Sequence, residues 1–200
     1  MSLACTFYKI FIDPLLYKLR HRVASLIPKD MSVVEIASGT GAQSLLLART
    51  AHRVIGIDIN ERMTDCASRR ANGLSLDNIK YHTADGSSLT FIEDKEFDFS
   101  TITLALHELD DNLRKDIITE MQRISKHMII VDYNAPLPKN ISGWGSSHIE
   151  MLAGGSHYAG FKNYEQRGGL IAILNEMGLN IENQYTAIDG AILILKLSSN

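Results

Sequence analysis

The 200-residue chain is poor in cysteine, with two, in proline, with four, and in tryptophan, with one. Cys5 and Cys66 stand far apart and form no Cys-x-x-Cys pair. That argues against a zinc ribbon or a disulfide framework and leads to the expectation of two thiols in a reducing, cytoplasmic setting. Long apolar runs are also missing. The longest, such as Ala191-Ile192-Leu193-Ile194-Leu195, have the length of a strand, against the roughly 20 residues an integral membrane helix needs. Lys9 interrupts the first apolar stretch and no small-residue cleavage site follows, so no signal peptide is expected. Neither charge dominates: 20 Lys and Arg stand against 23 Asp and Glu, a net −3, which argues against a surface built for nucleic acid. Repeats and low-complexity tracts are absent.

What is there suffices for one core, since 45% of the residues are hydrophobic. A single domain is expected over 1–200, with an N-terminal helical cap over about 1–29 and a lid insertion over about 134–161. Residues 13–27 carry an amphipathic helical pattern, with Asp13 as its cap and Pro14 at the first helical position. Strands are expected at about 32–37, 53–58, 79–83, 97–104 and 128–133, and helices at about 42–51, 61–72, 110–126 and 163–177. Two last strands, about 180–187 and 191–197, flank Asp189-Gly190, a hairpin signal. The alternation predicts an α/β fold: a seven-stranded, mostly parallel, doubly wound sheet closed by a C-terminal antiparallel hairpin. Ligands of such sheets bind beyond the carboxyl ends of the strands.

The first strand runs into Glu35-Ile36-Ala37-Ser38-Gly39-Thr40-Gly41. No lysine follows Gly41, so the phosphate-binding GxxxxGK[ST] loop is absent. The dinucleotide pattern GxGxxG is half met by Gly39 and Gly41, with Ser44 at the third glycine. Glu35 points elsewhere. A carboxylate before the turn attracts positive charge, whereas a diphosphate prefers donors and the positive end of a helix. Asp58 ends the second strand, where an acid binds ribose hydroxyls, and Asp85 ends the third, where an acid accepts from an adenine amino group. Three acids at successive strand ends call for a cationic nucleoside without phosphates, and S-adenosylmethionine is such a molecule.

With those residues in view, the stretch resembles motif I, [D/E]xGxGxG, of the class I S-adenosylmethionine-dependent methyltransferases. Asp58 in VIGIDIN matches that family's ribose acid, and Asp85 in TADGSS its adenine-side acid. FDFSTITLALHEL is similar to its fourth-strand motif, and the order holds from about Val33 to Tyr133. Ala37 departs from the pattern by replacing the first glycine. The resemblance implies cofactor contacts at Glu35, Ala37, Ser38, Gly39, Gly41, Asp58, Ile59, Met63, Asp85, Gly86 and Leu104. In layout the chain is similar to methyltransferases of ubiquinone and menaquinone biosynthesis, which implies a small-molecule acceptor.

Histidine is the side chain most readily poised as a base near neutral pH. His107, just past the fourth strand, and His157, on the lid, are therefore the candidate catalytic residues, with structural roles for both as the alternative. Glu108, Tyr133, His148 and Tyr158 are expected in the acceptor pocket, although core packing explains Tyr133 equally well. His148, Glu150 and His157 match no metal signature, and no metal is expected. The [ND]PP[FY] motif of nucleic-acid amine methyltransferases and the Pro-Cys of cytosine-C5 enzymes are both missing. Two other readings remain. A nicotinamide-dependent oxidoreductase would use Gly39, Gly41 and Asp58 but leave Glu35 and Asp85 idle, and the chain offers no Tyr-x-x-x-Lys pair. A non-catalytic partner protein would keep the fold and the cofactor site without transferring a methyl group.

Overall fold

In the computed structural model residues 3–140, 142 and 155–199 are described, with side chains at 5–140, 142 and 158–199. Seven strands form one sheet: β1 (Ser32–Ile36), β2 (Arg53–Asp58), β3 (Ile79–Thr83), β4 (Phe97–Thr103), β5 (Ser125–Tyr133), β6 (Ile181–Ala187) and β7 (Ile192–Ser198), in the order β3-β2-β1-β4-β5-β7-β6. The first five are mutually parallel, and β7 pairs antiparallel with both β5 and β6. The expected fold class is therefore observed. Central strands such as β1 and β5 are buried along nearly their whole length, which is why they read as continuous apolar runs. The order reverses between β1 and β4, so the crevice for a ligand opens at the carboxyl ends of those two strands.

The helices follow their local chemistry. α4 (Ala42–Leu47) starts at Gly41, whose φ of +78° suits glycine. In α5 (Glu61–Gly73) the Asn60 side chain accepts the Arg62 N–H, and in α6 (Asp111–Ile124) Asp110 accepts from Asn112 and Leu113. Ile117, Ile118, Met121 and Ile124 are buried, as the 3.6-residue pattern predicts.

Four expectations need correction. The N-terminal helix does not begin at Asp13. It runs through α1 (Leu3–Phe7), a π-helical stretch (Tyr8–Ile12), α2 (Asp13–Leu15) and α3 (Tyr17–Ser25). Asp13 makes no cap, because Arg20 and Arg70 claim its carboxylate at 2.9 and 2.8 Å. The helix expected at 163–177 is two, α7 (Gly155–Gln166) and α8 (Gly169–Glu176), since Gly168 and Gly169 turn left-handed at φ +83° and +66°. The β6–β7 turn is centred on Ile188 and Asp189, both with positive φ, one residue earlier than Asp189-Gly190 implied. Finally, Cys5 and Cys66 are joined in a disulfide, overturning the expectation of two thiols. Distance along the chain hid the pair: the N-terminal helix folds back onto α5 and brings the two Cα atoms to 6.2 Å. Among the described residues no helix is long and apolar enough to cross a membrane.

Candidate functional site

A cleft of about 250 Å3 opens at the reversal point, lined among others by Ala37 and Asp58 from the first two strand ends, Asp85 and Gly86 from the third, and Glu108 after the fourth. Its wall is apolar, with Ile36, Ile102, Leu113 and Ile117. Leu113 and Ile117 show that the core face of α6 also serves the cleft. Three acids and no Lys or Arg stand among the described residues that line it.

The glycine loop is shaped by left-handed residues. Ala37 has φ +55° and Gly39 φ +53°. Ala37 in place of glycine thus costs backbone strain. Gly41 is needed for contact as well as angle, because an added Cβ would overlap the Tyr81 hydroxyl and Ala67. Asp58 ties the loop to β2: its Oδ2 accepts the Gly39 N–H at 2.7 Å and its Oδ1 the Asn60 N–H at 2.9 Å. Asp85 accepts from the Ser87 N–H and hydroxyl, which hold its carboxyl below the usual range and keep it ionised.

Glu35 lies beneath the loop, 3% exposed, and does not line the cleft. Burial raises its carboxyl to about 7, against hydrogen bonds from the Ser44 hydroxyl and N–H and the charge of Arg20. Ser44, the residue in the third-glycine position, is thus the partner of this buried acid. Among the described residues Glu35 Oε2 and Ser38 Oγ are buried without hydrogen-bond partners. Two orphan polar atoms at the loop, two carboxylates further along and an apolar wall fit an amino-acid end, a ribose and an adenine in that sequence. They fit a diphosphate poorly. Ile59 is an exposed lip of the cleft, whereas Ser38, Gly39, Gly41, Met63 and Leu104 are not among its lining residues. Leu104 holds φ +54° directly after β4, the kind of local strain that gathers at functional sites.

On the β4 side, His107 is 2% exposed in a 3-10 turn (Leu106–Glu108). Its Nδ1 lies 2.6 Å from Asp132 Oδ1, and its Nε2 lies 3.7 Å from Glu108 Oε1. Tyr133 packs its ring edge-on to the imidazole at 4.7 Å and is buried, so it supports His107 and does not line the cleft. Tyr158 is half-buried on α7, near Lys162. His148 lies outside the described residues, as does the side chain of His157. Among the described residues no group of His, Cys, Asp and Glu has the arrangement of a metal site.

The sequence reading missed Asp132 and Arg114. An acid inside IIVDY was the available signal for the first. Arg114, fully buried, donates from Nε to Leu106 O and from its two Nη groups to Asn163 Oδ1 and Gly160 O, fastening the His107 turn to α7. Gly160 must be glycine, since a Cβ there would overlap the Glu108 carbonyl. From the other side, Tyr8 comes within electrostatic reach of Glu108 and Asp58. Burial and then the charges of Glu108 and Asp58 raise its hydroxyl above the usual range.

In its fold and over its central 96 residues the chain is similar to class I, Rossmann-like S-adenosylmethionine-dependent methyltransferases. Residues 33–128 match the family described as a methyltransferase domain. Among curated relatives it is 28% identical over 128 residues to an uncharacterized methyltransferase, YcgJ, of Bacillus subtilis, covering 62% of this chain and 49% of that protein. It is 30% identical over 107 residues to a demethylmenaquinone methyltransferase of Clavibacter sepedonicus, covering 52% and 42%. Over 75 residues it is 33% identical to a protein-L-isoaspartate O-methyltransferase of Dinoroseobacter shibae, covering 38% and 34%. The chain therefore spans half or less of these relatives' lengths. A crystal structure of a SAM-dependent methyltransferase from Aquifex aeolicus shares the fold, with a TM-score of 0.72 at 17% identity over 100% of both chains.

Proposed function

We propose that this protein transfers the methyl group of S-adenosylmethionine to a small-molecule acceptor. One observation carries the reading: acids at the ends of β2 and β3 and after β4 line a cleft in which no described residue supplies a positive charge, while a buried acid waits below the loop. Such a site suits a cationic, phosphate-free nucleoside and repels a diphosphate. Asp58 takes the ribose hydroxyls and Asp85 the adenine amino group. Glu35, its Oε2 unsatisfied, faces the positive charge of the amino-acid end, with Ser38 beside it. Gly39 and Gly41 let the backbone approach.

When bound, the cofactor supplies a methyl group already activated by a positive sulfur, open to in-line attack. The protein's share is to align the acceptor and exclude water. Tyr8 and the N-terminal helix cover one side of the cleft mouth, while the His107 turn and α7 close the other. Glu108 and Tyr158 stand by the acceptor, and His107, behind Glu108, is the base that takes up its proton.

The test is thermal stabilisation followed by a transfer screen. S-adenosylmethionine and S-adenosylhomocysteine each raise the melting temperature and NAD does not, because only a ligand that favours the native state shifts it. Quinols, phenols, thiols and amines are then screened beside an isoaspartyl peptide, since some relatives bear the isoaspartate name. Stabilisation by NAD alone refutes the cofactor reading, and transfer to the peptide alone refutes the small-molecule one.

A further inference from the structure

An acceptor that carries a proton must lose it during methyl transfer, and the structure holds a place for it. Asp132, at 0% exposure near the end of β5, accepts three hydrogen bonds: from the His107 N–H at 3.0 Å, from His107 Nδ1 at 2.6 Å and from the Tyr133 N–H at 2.8 Å. A carboxylate so held fixes the ring and keeps the Nδ1 proton on its own side, leaving Nε2 as the basic nitrogen. Nε2 faces Glu108 Oε1 at 3.7 Å, and Glu108 lines the cleft whereas His107 does not. Asp132, His107 and Glu108 thus form a line from the core to the cleft.

Every element around the ring contributes. β5 brings Asp132 and Tyr133, and α7 brings Phe161 and Tyr164, whose rings stand edge-on to the imidazole. α6 brings the Arg114 guanidinium, which interacts with both Asp132 and Tyr164 and opposes a second positive charge nearby. Tyr8 lies within electrostatic reach of Glu108.

We propose that Asp132 is the positioning residue that holds His107 to receive, by way of Glu108, the proton of a hydroxyl or carbon-acid acceptor. This rests on the methyl-transfer reading of the same site. The acceptor's oxygen or carbon forms its bond to the methyl group as the sulfur–methyl bond breaks, that electron pair staying on sulfur. The acceptor's proton goes to the Glu108 carboxylate and on to His107 Nε2, where Asp132 balances the imidazolium. It returns through Glu108 to water after the product leaves. A carboxylate acceptor needs no such route and would meet the charges of Glu108, Asp58 and Asp85.

The test has two arms, both on the full chain. In the S-adenosylhomocysteine complex, NMR titration of the His107 ring is compared between wild type, Asp132→Asn and Glu108→Gln. Loss of the Asp132 charge lowers the midpoint by at least about one pH unit, and Glu108→Gln lowers it less. In the second arm, formation of S-adenosylhomocysteine is followed with a hydroquinone and with an isoaspartyl peptide. The hydroquinone turns over, both variants lower kcat by roughly 100-fold, and in Asp132→Asn the acid limb of the pH profile moves with the NMR midpoint. Glu108 is partly exposed, so Glu108→Gln decides the route even where Asp132→Asn folds poorly. An unmoved midpoint overturns the pair, and an unchanged kcat in Glu108→Gln overturns the route. Turnover of the peptide, or of neither probe, overturns the acceptor class. Failure to bind S-adenosylhomocysteine, read by calorimetry, strikes the parent reading instead.

Discussion

Cofactor affinity will depend on pH through Glu35. Burial holds its carboxyl at about 7, well above the ordinary 4.5. Without ligand, Glu35 is therefore mostly protonated at pH 5.5 and half ionised at pH 7. A ligand ammonium favours the ionised form, so binding expels a proton and tightens as pH rises. If the liganded carboxyl stays ionised throughout, the dissociation constant falls about 16-fold between pH 5.5 and pH 7.0. The range stops there because the ligand's own α-amino group titrates near 8. The assay is calorimetry with S-adenosylhomocysteine in two buffers of different ionisation enthalpy, which counts the protons released. Glu35→Gln flattens the profile and removes the release. A flat profile in wild type, or the same slope in Glu35→Gln, refutes the placement of the ammonium beside Glu35.

The same shift acts on the ligand-free fold with the opposite trend. A raised carboxyl gives stability that is full below pH 4.5 and lost as pH rises through 7, so Glu35→Gln stabilises the fold at pH 8 by up to about 3 kcal/mol, read as a higher melting temperature, and hardly at all at pH 4.5. Ala37→Gly relieves the left-handed strain and stabilises by about 1 kcal/mol, or ~3 °C in a thermal scan. Gly160→Ala costs about 2 kcal/mol in urea denaturation, because its methyl group overlaps the Glu108 carbonyl and pushes α7 from the His107 turn. Reduction of Cys5–Cys66 frees the first helix from α5 and removes up to about 4 kcal/mol of loop-closure stabilisation, read as faster tryptic cleavage after Lys9.

The sheet was legible because its signals are local. Apolar runs alternating with amphipathic helices give the strand positions and the mostly parallel class of the sheet. The acids at the strand ends were legible for the same reason: Asp58 closes β2, Asp85 comes two residues after β3, and both line the cleft. What the sequence hid depends on distant partners. Asp13 looked like a cap until Arg70, in α5, took its carboxylate. Cys66 found Cys5 only through the folding of the N-terminal helix. Asp132 and His107 meet because β4 and β5 are neighbours, a pairing in space that no spacing encodes. Gly168-Gly169 was a readable break that the strong apolar pattern of 169–176 obscured.

The central claim is that this cleft takes a cationic nucleoside and rejects a diphosphate. Isothermal titration of ligand-stripped protein tests it most directly, with S-adenosylmethionine, S-adenosylhomocysteine and NAD injected in turn into wild type and Asp58→Ala. The account predicts saturable binding of the first two, weakened at least about tenfold by the substitution, and no heat from NAD. Saturable binding of NAD, with none of the sulfur nucleosides, would contradict it.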